Sequence, residues 1–153
     1  MEAFLTLPYE IFIPNTLFED ELLKFTASQL RTLLAGVKVA DLPGERVLRA
    51  RQVVLDKPRL SVHDGFAFAL AESHSGCILL TGDGALRALA EKSNMEVHGI
   101  LWIVDQLHDH RISTASALYA ALRLLAEDRA VRLPRKELAA SLKRYGRSEQ
   151  PDA

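Results

Sequence analysis

Residues 61–92, SVHDGFAFALAESHSGCILLTGDGALRALAEK, decide the fold. Ser61 stands where a helix N-cap belongs, and from Val62 to Ala71 apolar residues recur at helical spacing: Phe66, Ala67, Leu70 and Ala71. Ser73–His74–Ser75–Gly76 ends that helix, the glycine being free to take the left-handed conformation just beyond it. Cys77–Ile78–Leu79–Leu80 is an unbroken apolar run of strand length, as expected of a parallel strand covered on both faces. Thr81–Gly82–Asp83 turns the chain into a second helix with Leu86, Leu89 and Ala90 on its inner side. The unit is helix–strand–helix, half of a doubly wound α/β layer, and each helix begins beside an aspartate, Asp64 or Asp83. At a helix N-terminus the dipole and the free amides favour the ionised carboxylate.

Working outward, the N-terminal side carries a short helix end (Met1–Leu7) and a β-rich segment, Tyr9–Glu10–Ile11–Phe12–Ile13, closed by Pro14. Asn15 or Thr16 is placed to cap a helix to about Phe25, with Leu17, Phe18, Leu22 and Phe25 inward and Glu19, Asp20 and Glu21 near its start. A further helical piece (26–34) ends at Gly36, and residues 37–42 read as a strand. Pro43 opens a helix with Val47, Ala50, Val54 and Leu55 on one side. On the C-terminal side come a strand at 95–98, a helix with Ile100, Leu101, Ile103, Val104 and Leu107 inward, a long helix at 113–126, and a last one from Leu133–Pro134 to Tyr145. Alternating strands and helices predict a parallel sheet covered on both faces: one α/β domain over 1–146, with 147–153 as a frayed tail.

At 153 residues, 48% hydrophobic and 25% charged, the chain has the length and composition of one ordinary globular domain. Its apolar runs fall well short of a membrane span and its start lacks a signal-peptide pattern, so no membrane role and a cytoplasmic location are expected. The single Cys77 cannot form an internal disulfide, and reads as a buried, inert thiol. A net charge of −1 does not announce nucleic-acid binding. Any such surface must be local, and the densest basic stretch is Arg46, Arg49, Arg51, Lys57 and Arg59.

Each acid has a plain structural reading. Ser61 with Asp64 three residues on is close to a capping box, and Asp83 between two glycines is a good N-cap. The combination says more: Asp83 follows the carboxyl end of one strand and Glu21 lies on the helix after another, the edge where open α/β sheets bind ligands. Carboxylates gathered there without matching lysines call for a cation, and hard ions such as Mg²⁺ or Mn²⁺ prefer such oxygens. An ion of that kind can activate water and steady the charge on a phosphodiester. Asp105, His108, Asp109 and His110 have ligand-like chemistry too, though a solvated helix end accounts for them as well. Gly82–Asp83–Gly84 is no phosphate loop, and Ser61, Ser73 and Ser75 lack a nucleophile-elbow context.

LSVHDGFAFALA followed by ILLTGDGALRALA and then EVHGILWIVDQL resembles the PIN domains, a family found in the ribonuclease toxins of bacterial toxin–antitoxin pairs and in other nucleases. IFIPNTLFEDELL resembles that family's strand and acidic helix more loosely. The resemblance implies a three-layer α/β/α domain with a parallel sheet, Mg²⁺ or Mn²⁺ at an acidic edge, and RNA phosphodiester cleavage. It assigns catalytic and metal-binding roles to Asp64, Asp83 and Glu21, with Asp20 as the competing alignment for the helix acid, and a substrate-side hydroxyl to Thr81. RNA, an antitoxin protein and a second copy of the chain are the implied partners. One departure stands out: the family's first apolar strand, ending in an aspartate, has no counterpart ahead of Glu2–Ala3–Phe4–Leu5. An N-terminally shortened domain should leave sheet backbone unpaired, and a non-catalytic protein acting through association is the alternative.

Overall fold

In the computed structural model, residues 2–22, 25–128, 131 and 133–146 are described, without the side chain of Glu21. The expected tail, 147–153, lies outside them. The chain forms two compact units, Met1–His98 and Gly99–Ala153.

In the first unit α1 (Glu2–Leu5) leads to β1 (Ile11–Pro14), α2 (Asn15–Glu21), α3 (Ala27–Leu34), β2 (Val37–Ala40), α4 (Gly44–Asp56), α5 (Val62–Glu72), β3 (Ile78–Leu80), α6 (Gly84–Lys92) and β4 (Glu96–His98). The caps explain the starts. Thr26 closes a capping box with Gln29, Ser61 closes one with Asp64, and Asp83 accepts hydrogen bonds from the first free amides of α6. Neither Asn15 nor Thr16 caps α2: Pro14 holds the N-cap position without a side-chain bond, and its extended backbone passes directly into the helix. Gly76, at φ +72°, supplies the left-handed turn between α5 and β3.

The strands pair in parallel, as alternation with helices requires, yet they do so in two separate couples. β1 lies beside β2 with Ile11 opposite Val37, and β3 beside β4 with Leu79 opposite Val97. Helix α5 packs against both β1 and β3. The core joins Val53 of α4, Leu60, Phe68 of α5, Leu79 of β3, Leu86 and Ala90 of α6 and Val97 of β4.

Two sequence expectations shift here. α4 buries Ala50 and Val53, whereas Val47 is 39% and Leu55 62% exposed. The buried stripe is therefore rotated from the one that apolar spacing alone suggested, because α5 packs close over Ala50 at Gly65. β3 is not covered on both faces either: Leu79 is buried, but Leu80 is exposed.

The second unit consists of α7 (Ile100–Asp109), α8 (Ala115–Glu127) and α9 (Arg135–Gly146) around Val104, Leu118, Leu122 and Tyr145. Thr114 caps α8 by accepting from the Ala117 amide. No helix among the described residues is long and apolar enough to cross a membrane.

Candidate acidic site at the starts of α5 and α6

Asp64 and Asp83 both sit at helix starts, for the reasons their sequence contexts give, and both use one carboxylate oxygen as a cap. Asp64 Oδ2 accepts from the Ser61 amide at 2.8 Å and the Ser61 hydroxyl at 2.7 Å, while the Asp64 amide donates back to Ser61 Oγ at 3.1 Å. Asp83 Oδ1 accepts from the amides of Ala85 and Leu86, both at 2.8 Å. Among the described residues, the other oxygens, Asp64 Oδ1 and Asp83 Oδ2, make no hydrogen bond, and neither carboxylate has a lysine or arginine partner. Each acid thus caps its helix and still presents a free, anionic oxygen.

Thr81 tightens the same turn. Its hydroxyl oxygen accepts from the Asp83 amide at 3.0 Å, which fixes the chain leaving β3. Arg87, one helical turn after Asp83, was not singled out from the sequence. Its Nη1 donates to the Val97 carbonyl at 3.2 Å and its Nη2 lies 3.5 Å from the Thr81 carbonyl, so it ties α6 to the chain at β3 and β4. No local spacing marked it, because its carbonyl partners lie ten and six residues away.

The acidic helix α2 packs against α5. Asp20 Oδ2 lies 3.6 Å from His63 Nε2, which places that acid beside the residue preceding Asp64. His63 Nδ1 is buried without a hydrogen-bond partner among the described residues. The side chain of Glu21, the residue that the family resemblance favours, lies outside the described set. Among the described residues no three His, Cys, Asp or Glu side chains stand close enough to hold a metal ion together. By donor type each free carboxylate oxygen suits a hard divalent cation.

The other constellations have structural partners. Arg49 makes a two-pronged pair with Glu72, Nε to Oε2 and Nη2 to Oε1 both at 2.8 Å, and Arg46 lies 3.7 Å from the same carboxylate. The Arg49 hydrogen bonds hold the Glu72 carboxyl below its usual range. The basic stretch therefore loses two of its members to an internal anion. Cys77 donates to the Ala71 carbonyl at 3.1 Å, and burial pushes its thiol up, so it stays protonated.

In the second unit Asp105 Oδ1 accepts from Tyr145 Oη at 2.6 Å and from Arg144 Nη1 at 3.0 Å, a bracing role rather than an open ligand. Burial first, and then the hydrogen bond to Asp105, push the Tyr145 phenol up to about 12. Because the folded value exceeds the unfolded one of about 10, this contribution, on the order of 2 kcal/mol, is complete below pH about 10 and fades as pH rises toward 12. Denaturant midpoints of the native protein and of Tyr145→Phe should therefore converge over that interval. A constant difference between them would contradict the assignment.

No curated protein and no solved structure matches the chain. A family model described as a PIN domain matches residues 1–147, and the α/β alternation with short parallel strands agrees with it. The chain belongs to the PIN-domain family.

Proposed function

We propose that this protein is a divalent-metal-dependent ribonuclease that hydrolyses RNA phosphodiester bonds. The observation that carries the reading is the pair of helix-capping aspartates that each keep one anionic oxygen free of any partner among the described residues. Asp64 Oδ1, Asp83 Oδ2 and a carboxylate of α2, Glu21 or Asp20, are the groups that would hold Mg²⁺ or Mn²⁺. The bound ion supplies an activated water and neutralises charge developing on the phosphodiester. The chain's own contribution is rigidity: two capped helix starts and the Thr81–Asp83 turn hold the carboxylates without further reorganisation. In the cell this activity suits a cytoplasmic toxin restrained by an antitoxin protein.

A second reading, a catalytically degenerate PIN protein acting through partner binding or self-association, draws on the division of the strands into two couples. Mn²⁺ titration followed by amide NMR separates the two. The nuclease reading expects paramagnetic broadening centred on Asp64 and Asp83, together with RNA cleavage that chelation abolishes. Broadening spread evenly over surface carboxylates, with no cleavage, removes it.

A further inference from the structure

We infer that the groove between α4 and α5 docks an acidic amphipathic helix of another protein, with aliphatic anchors spaced a helical turn apart. Ala50, Val54 and Phe66 form its floor and Val47, Leu55 and Val62 its rim, around a space of about 190 Å³. An apolar space of about 150 Å³ accommodates benzene, so this one has room for a large aliphatic side chain. The rim is open to water: Val47 is 39%, Leu55 62% and Val62 58% exposed, and Leu48, next to Val47, is 65% exposed. Large apolar side chains gathered at one groove mark an interaction surface; scattered singly they would not.

The lining fixes the shape of the occupant. On α4 it runs through Val47, Arg51, Val54 and Leu55, a helical stripe about 12 Å long. Helix positions i, i+4 and i+7 cover roughly 10 Å, so one partner helix laid along the groove matches that stripe with three anchors.

Charge fixes its chemistry. Arg51 is the charged residue among those lining the groove, and no carboxylate lines it. Lys57 and Arg59, both exposed, lie in the connection between Leu55 and Val62, at one end of the groove. Among the described residues none of these three cations makes an ion pair, whereas Arg46 and Arg49 are held by Glu72. The two acids of α4, Glu45 and Asp56, stand outside the lining, and Asp56 accepts from Gln52. Apolar walls with unanswered positive charge call for carboxylates beside the anchors. A second copy supplies them poorly. Two-fold pairing sets a patch against itself, Arg51 toward its own counterpart, and the acidic helix α2 already packs on α5 of its own chain. The groove owes nothing to whether Asp64 and Asp83 bind a metal.

The test uses the full chain and a synthetic helix, acetyl-Glu-Glu-Ala-Leu-Glu-Glu-Leu-Leu-Glu-Ala-Leu-Glu-Glu-amide, beside the same peptide with lysine at every glutamate. The acidic peptide should shift the methyl signals of Val47, Val54 and Val62, and bind about tenfold or more tightly than the lysine form. Arg51→Glu should reverse that preference, and Leu55→Ser should weaken the acidic peptide about tenfold. Both side chains are exposed, so both variants should melt with the native protein. Failure of the acidic peptide to bind, equal binding of the two peptides, or affinity unchanged by Leu55→Ser would overturn the proposal. So would a concentration-dependent dimer that Leu55→Ser dissolves, because the groove would then belong to a second copy.

Discussion

Phe68→Ala should destabilise the first unit by about 3–5 kcal/mol, a large part of the stability of a typical domain. Phe68 is 0% exposed at the centre of the core cluster, and its ring lies 5.6 Å from the Arg49 guanidinium carbon. Removing it opens a cavity under the helix that packs on α4, β1 and β3 together. Adding volume on the same helix should also hurt. A Cβ on Gly65 would stand 2.7 Å from both the Ala50 carbonyl oxygen and Val54 Cγ2. The backbone oxygen cannot step aside, so α4 and α5 must separate, at about 1–3 kcal/mol against a helix-propensity gain of about 1 kcal/mol. Gly44→Ala is the control, because a Cβ there meets nothing within 4 Å. Urea denaturation should rank the midpoints Gly44→Ala, native, Gly65→Ala, Phe68→Ala from highest to lowest. Gly65→Ala melting with Gly44→Ala would refute the close α4–α5 packing.

Local signals carried most of the fold. Ser61 and Asp83 act through amides two or three residues on and Gly76 through its own left-handed backbone, and each marks its boundary as the sequence suggests. What stayed illegible is set by distant partners. The spacing of Val47, Ala50, Val54 and Leu55 describes an apolar stripe on α4, but only the approach of α5 decides that Val53 joins Ala50 inside while Val47 and Leu55 stay exposed. Arg49 looks like a phosphate contact until Glu72, 23 residues later, takes both its prongs. Asp105 looks like a ligand until Tyr145, 40 residues on, donates to it. Strand pairing is of the same kind: the alternation predicts parallel strands, yet nothing local says that β1 and β3 stay apart. For the candidate site, the acids and their helix starts were legible, and so was the basis for their second role as caps. The neighbourhood of Asp20 and His63 was not, since it depends on how α2 meets α5.

Asp83→Asn separates the two roles of that carboxylate. Asparagine caps a helix about as well as aspartate, and its amide oxygen can accept from Ala85 and Leu86 as Oδ1 does. Stability should therefore change by less than about 0.5 kcal/mol. The charge is lost, however, and an amide is a poor ligand for a hard cation that is otherwise held by few protein oxygens. Losing even an outer-shell partner of a metal site costs about 10–100-fold, so metal-dependent RNA cleavage should fall on the order of 100-fold or more. Asp83→Ala should lose cleavage equally and also melt earlier, by about 1 kcal/mol for the missing cap. Ser61→Ala supplies the reverse case, since it removes a cap bond of α5 while leaving Asp64 charged. Its cost should appear in stability, about 1 kcal/mol; the Ser61 amide still holds Asp64 Oδ2, so cleavage should fall far less than in Asp83→Asn. Cleavage that tracks melting across all three variants would make both aspartates caps alone. Cleavage that tracks charge while stability tracks capping would tie hydrolysis to the free oxygens.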